Sequence, residues 1–296
     1  MNVGLIGVGA MGEAMAGHLC RKGHELAAYD IDPKRSAAVS AFGGAPVDSL
    51  RALAERAEIF IVMVATDAQS EAVVDALIAA KAAPNSLIAV AATNHPATMQ
   101  RLARRAAEHR LRFIDAPVVF GLQGAQDGQL VSLCGGAAAD VEFARPALLA
   151  YGRAVHHVGA VGAGQLAKAC NNMMHWAACV ASYEVLLLGK RFGIQGQRMR
   201  EILLDCPARN GTLERWDATR FTWHEKDMDI VLELAQEAGL TLPLFGQIDQ
   251  LVKLLGPRQV AELLRGPTAS YLGCIVAPDP ERSLAGEDAT LASAKP

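Results

Sequence analysis

Residues 3–12 read VGLIGVGAMG. A short apolar run, Val3–Ile6, ends in three glycines, Gly7, Gly9 and Gly12, and a helix-length amphipathic stretch, Met11–Lys22, takes over at once. A glycine triplet alone serves many tight corners, but one that joins a strand to a helix has a narrower meaning. Gly7 allows the turn, Gly9 lets the backbone approach a pyrophosphate, and Gly12 lets the helix pack against the strand. Amide groups at such a helix start, those of Val8, Ala10 and Met11 among them, hold a phosphate anion. The stretch predicts the first βαβ unit of a dinucleotide-binding domain.

The rest of the first half keeps the same rhythm. Strands are expected at Leu26–Tyr29, Ile59–Val64, Leu87–Ala91, Phe113–Ile114, Leu130–Cys134 and Val155–Val158. Between them lie helical patterns at Asp48–Glu55, Glu71–Ala80 and Pro96–Glu108. Such alternation implies an α/β fold, a doubly wound and mainly parallel Rossmann sheet with helices on both faces. Past Gly159 the strand pattern stops, and segments at about 164–190, 197–204, 212–219, 226–238, 243–254 and 258–265 have helix length. The glycine-rich GAVGAG marks the boundary. The expected organisation is a Rossmann domain at 1–160 and an all-α substrate and oligomerisation domain at 161–276, joined by the long helix. A flexible tail, rich in Pro, Ala, Ser and charge, is expected at 277–296.

The second expected strand ends at Asp30, eighteen residues after Gly12. A carboxylate there accepts hydrogen bonds from both ribose hydroxyls and repels a 2′-phosphate, so it favours NAD over NADP. Two alternatives stay open: Asp30 starts the turn before Asp32-Pro33, or Lys34 and Arg35 rescue NADP binding.

With 51% hydrophobic and 20% charged residues, the 296-residue chain can bury a large core, which excludes wholesale disorder. A net charge of -3 gives no reason to expect nucleic acid or an anionic membrane as partner. Arg101, Arg104, Arg105, Arg110 and Arg112 read as the wet face of a surface helix. The cysteines show no CxxC pairing and the histidines no HExxH, so no metal site is expected. Scattered thiols and the absence of a charged leader before NVGLIG point to the cytoplasm. The apolar run Met173–Leu188 is broken by His175, Ser182 and Glu184 and reads as a core helix, not a membrane span.

Between Ala154 and Gly189 the full charges are Lys168 and Glu184. Lys168 and Asn172 stand four residues apart, on one helix face, with Asn171 and His175 beside them. A solvated face would use Glu, Lys, Arg and Gln; asparagine is a poor helix former, which favours a functional stripe.

GVGAMG near the start, DAPVVFGLQGAQDGQL at 115–130, GAGQLAKACNN at 162–172 and KDMDIVLELA at 226–235 occur in the order and spacing of the β-hydroxyacid dehydrogenases. The resemblance runs from residue 1 to about 265 and rests on four motifs in register. It implies an NAD-dependent enzyme that interconverts a 3-hydroxy acid or related small alcohol with its aldehyde or ketone. Lys168 then matches the family's general acid/base and Asn172 its substrate-binding asparagine. Lys226, with Asp227, matches a lysine that closes over cofactor and substrate, although a plain surface pair fits the sequence nearly as well. Thr93 matches the loop beside the nicotinamide.

Two departures bear on the substrate. The family's D-x-S-T before a proline reads Val90-Ala91-Ala92-Thr93 here. Its D-A-P-V-S-G-G loop, which grips a carboxylate, reads Asp115-Ala116-Pro117-Val118-Val119-Phe120-Gly121. Valine offers no hydroxyl donor where the serine stood. The expectation is a more apolar pocket wall and a larger or less acidic substrate. The alternative is that Phe120 turns into the core and the backbone amides alone hold the carboxylate. Imine reduction is a rival chemistry on the same architecture, but imine reductases generally lack a lysine at the position of Lys168. A non-catalytic nucleotide-binding protein would also be marked by loss of that lysine. The chain is too short for the large helical domain of 6-phosphogluconate dehydrogenase. Finally, the long helix is too apolar for a monomer surface, which predicts a homodimer or a homotetramer.

Overall fold

The computed structural model describes residues 1–284. The chain divides into two compact units, the first being Met1–Lys168 and the second starting at Ala169. In the first unit the order is β1 (Asn2–Ile6), α1 (Ala10–Arg21), β2 (Glu25–Tyr29), α2 (Pro33–Ala38), β3 (Ala45–Pro46), α3 (Leu50–Ala54), β4 (Ile59–Val62) and α4 (Asp67–Ala79). It continues with β5 (Leu87–Val90), α5 (Pro96–Glu108), β6 (Arg112–Asp115), β7 (Val118–Val119), α6 (Gly121–Gln126), β8 (Leu130–Gly135), α7 (Ala138–Leu148) and β9 (Gly152–Gly159).

The strands lie in the order β3-β2-β1-β4-β5-β6-β8-β7, with β9 also paired to β8. From β3 to β6 every pairing is parallel; β8 then runs antiparallel to β6 and to β7. The strand order reverses direction about β1 and β4, the point at which open α/β sheets bind ligands at the carboxyl ends of their strands. Alternate side chains feed two cores, as strand geometry requires. Leu5, Ile59, Ile61 and Leu87 pack with Met15 and Leu19 of α1 and Val141 and Leu148 of α7. Ile6, Phe60, Val62 and Ile88 pack with Leu77 of α4 and Met99 and Leu102 of α5. Strands buried on both faces read as unbroken apolar runs, and β4 is IFIV and β5 LIAV.

In the second unit, α8 (Ala163–Arg191) carries on from the first and is followed by α9 (Gly196–Leu204), α10 (Gly211–Glu214), α11 (His224–Glu237), α12 (Pro243–Val252) and α13 (Pro257–Arg265). Trp176, Val180, Tyr183 and Leu186 of α8 pack with Trp216, Met228, Val252 and Leu263. The expectation of an all-α unit needs one correction: β10 (Ala269–Tyr271) and β11 (Cys274–Val276) form an antiparallel hairpin. Its two loop residues, Leu272 and Gly273, both have positive φ, +51° and +77°. That turn matches strand twist but normally uses Asn-Gly, so Leu-Gly hid it.

The expected flexible tail opens with residues that are tied down. Asp279 N donates to Arg191 O at 3.0 Å and Leu284 N to Phe192 O at 2.8 Å. The remainder of that tail lies outside the described residues. The division between units falls at Lys168/Ala169, inside α8, whereas the sequence suggested 160/161.

Candidate active site

The glycine turn has the shape that its sequence requires. Gly7 has φ +91°, and a Cβ there would lie 2.3 Å from Met63 O. A Cβ on Gly12 would lie 2.0 Å from Gly7 O, so α1 can seat on the turn only without one. Gly9 differs: a Cβ there would meet nothing nearer than Arg35 Nη1, at 3.9 Å. The space over Gly9 and the start of α1, where Ala10 is exposed and Met11 half-buried, is open to a phosphate. Asp30 is buried at the end of the next strand, where its Oδ2 accepts from Val8 N at 2.7 Å and its Oδ1 from Asp32 N at 2.9 Å. The carboxylate therefore braces the turn, and Val8 N, expected among the phosphate-holding amides, is committed to it instead. Arg35, beside the turn, faces Asp32 with Nε 3.7 Å from Oδ2. These residues fit a dinucleotide.

At the far end of the unit, Asp115 closes β6 and is fully buried. Its Oδ1 accepts from Gly162 N at 2.7 Å and its Oδ2 from Gln165 N at 2.8 Å. Burial pushes its carboxyl up to about 6, and the backbone N–H donors offset part of that rise. The first turn of α8 is thus seated on the sheet by a side chain. The glycines around it make room: a Cβ on Gly164 would lie 2.2 Å from Leu133 O, and one on Gly135 would lie 2.4 Å from Asp115 Oδ1. Lys168, half-buried one turn further along, donates from Nζ to Val118 O.

Thr93 is half-buried in the segment between β5 and α5, next to the buried Asn94. Gln165 spans this segment, Nε2 donating to Ala92 O at 2.8 Å and Oε1 accepting from Asn94 N at 3.0 Å. In the other loop, Phe120 and Gly121 are both left-handed, with φ +88° and +60°. Left-handed backbone explains a glycine at position 120 in the family; phenylalanine accepts the strain here. Its ring packs on the domain's own core, with the Arg153 guanidinium 4.4 Å from the ring centroid. Val119 is buried in β7, opposite Val131. This packing favours the second reading of the loop over an aromatic pocket wall.

In the second unit Asn172 is buried on α8, and its Oδ1 accepts from Asn171 Nδ2 at 3.0 Å. His175 Nδ1 lies 3.0 Å from Thr212 Oγ1. Lys226 is half-buried in the first turn of α11. Its neighbour Asp227 accepts from Trp176 Nε1 at 3.1 Å, which fixes α11 against α8. Gln165, Asn94 and the role of Asp115 escaped the sequence reading. The signal was present for Gln165, which stands inside GAGQLAK three residues before the lysine. Among the described residues no group of three or more His, Cys, Asp or Glu could hold a metal ion.

A doubly wound sheet whose first turn fits a dinucleotide, with a lysine-bearing helix pinned to its carboxyl edge, defines a nicotinamide-dependent oxidoreductase. Residues 2–159 match the family described as the NAD binding domain of 6-phosphogluconate dehydrogenase. Residues 162–263 match the one described as NAD-binding of NADP-dependent 3-hydroxyisobutyrate dehydrogenase. The chain belongs to the β-hydroxyacid dehydrogenase family. It is 32% identical over 218 residues, 73% of each chain, to 3-hydroxyisobutyrate dehydrogenase of Pseudomonas aeruginosa. It is 29% identical over 279 residues to NAD-dependent L-serine dehydrogenase of the same organism, covering 88% of this chain and 94% of that one. The fold matches Mycobacterium tuberculosis 3-hydroxyisobutyrate dehydrogenase, solved with L-serine, at a TM-score of 0.78 and 24% identity, over 85% of this chain and 92% of that one. The protein is an NAD-dependent dehydrogenase or reductase of CH–OH groups.

Proposed function

We propose that the protein interconverts a 3-hydroxy acid or related alcohol with its aldehyde or ketone, with Lys168 as the general acid/base. The observation that carries this is the lysine's placement, with Nζ hydrogen-bonded to the Val118 carbonyl beside the loop at 119–121. Bound NAD supplies the hydride acceptor, and NADH the donor in reverse. Lys168 takes the hydroxyl proton as the carbonyl forms and returns it in the reduction. Asn172, one helical turn along α8, holds the substrate near its hydroxyl, and orientation of this kind is a large part of the rate. The backbone amides of Val119, Phe120 and Gly121 receive the carboxylate. For Thr93 and Lys226 the family resemblance is what supports a role toward substrate and cofactor.

Without a serine hydroxyl at position 119, a carboxylate loses a donor, worth about 1–3 kcal/mol. Small acids such as 3-hydroxyisobutyrate and glycerate should therefore be poor substrates, and Val119→Ser should lower their KM. If the native enzyme already prefers them, the loop does not set specificity. The free thiols at all six cysteines support a cytoplasmic location. No helix among the described residues is long and apolar enough to cross a membrane.

The test of the chemistry is NADH formation across a panel of hydroxy acids. Lys168→Ala should lose about a hundredfold or more in turnover. Its affinity for NAD should stay intact, because the nucleotide-binding residues lie elsewhere. Near-normal turnover in the variant would sink the assignment.

A further inference from the structure

Gln165 is 1% exposed and stands three residues before Lys168, on the same side of α8. Each end of its side-chain amide is used, one on either side of Thr93: a donor to Ala92 O and an acceptor from Asn94 N. The segment it holds is fixed from behind as well. Asn94 Nδ2 donates to Asp67 Oδ1 at 2.8 Å, Ser70 Oγ to Asn94 Oδ1 at 3.1 Å, and His95 N to Asp67 Oδ2 at 3.0 Å. The backbone of Gln165 is held in turn, its N–H on Asp115. A chain of buried hydrogen bonds thus runs from α4 through the 92–95 segment to the first turn of α8.

We propose that Gln165 is a positioning residue, a two-ended clamp that sets the place of Thr93 relative to the turn of α8 bearing Lys168. The proposal rests on the acid/base reading of Lys168. A planar amide is the side chain that suits this place, because the carbonyl of residue 92 needs a donor and the N–H of residue 94 an acceptor. Methionine fills a similar volume and supplies neither. Glutamate supplies the acceptor, but sets an oxygen against Ala92 O until it is protonated. Burial raises the pKa of such a carboxyl, so the lost donor returns as pH falls.

The experiment compares Gln165→Met, Gln165→Glu and Lys168→Ala with the native full-length enzyme, with NAD and a deuterated substrate. In Gln165→Met, kcat should fall about tenfold or more, the scale of a small misplacement of reacting groups. The isotope effect on kcat should grow, NAD affinity measured by fluorescence should hold within about twofold, and amide exchange in residues 92–95 should quicken. In Gln165→Glu, kcat relative to the native enzyme should rise as pH drops from about 8 to about 5. An unchanged kcat in Gln165→Met overturns the proposal. So does a flat Gln165→Glu ratio, and this variant decides the matter should the methionine one fail to fold. Retained turnover in Lys168→Ala overturns the acid/base reading instead, whatever Gln165 does.

Discussion

Asp115 is a fully buried acid at a place where two backbone N–H groups need acceptors. Its carboxyl is pushed up to about 6 from an ordinary 3.8, chiefly by burial. A raised folded value means that the native state holds the proton more firmly than the unfolded chain does. The stability this contributes is complete below about pH 4 and is lost as pH rises through about 6. Asp115→Asn removes the titration, so urea midpoints of native and variant proteins should diverge across that window and run parallel outside it. A constant difference from pH 4 to pH 7 would show that burial does not govern this group. Asp30 supports a second expectation. NAD should exceed NADP in kcat/KM by about tenfold or more, the scale of one hydrogen bond plus a charge clash. Equal efficiency would mean that Arg35 leaves Asp32 to hold the 2′-phosphate.

Among the elements, those that bury apolar runs were legible. The strand expected at Val3–Ile6 is β1 with one residue added, and Pro96–Glu108 is α5 at both ends. Other helix starts depended on polar detail. α4 begins before Glu71 because Thr66 and Gln69 cap it reciprocally. α7 was missed: no side chain caps it, and Pro146 lies within it. Among the proposed site residues, those that carry charge or break a pattern, Lys168, Asn172 and Asp30, stood out in the sequence. Gln165 and Asn94 did not, because their meaning lies in partners distant in the chain. The β10–β11 hairpin gives an element-scale prediction. Leu272 is 62% exposed and left-handed, so its side chain gains little from burial. Leu272→Asn should stabilise the second unit by about 0.5–1 kcal/mol, read as a higher urea midpoint. An unchanged or lower midpoint would show that Leu272 has a packing role.

For the whole molecule, much of the apolar surface of α8 is satisfied within its own unit. A stripe is left over: Met174, Val185 and Leu188 are 69%, 48% and 63% exposed, and Ala178 and Ala181 lie between them at helical spacing. We propose that a second copy covers this stripe, giving a dimer or a tetramer of dimers. Light scattering should report no stable monomer at micromolar concentration, and Leu188→Glu should shift the population toward monomer. A native monomer would contradict the proposal. The division of α8 has a consequence for recombination between relatives. Because the boundary follows Lys168, the proposed proton-transfer residue is inherited with the nucleotide-binding unit, its turn and its Asp115 seat. Asn172 and Lys226 are inherited with the other. A chimera joined just after Lys168 would exchange Asn172 and Lys226 and keep the glycine turn, the 119–121 loop and the lysine together in one inherited piece.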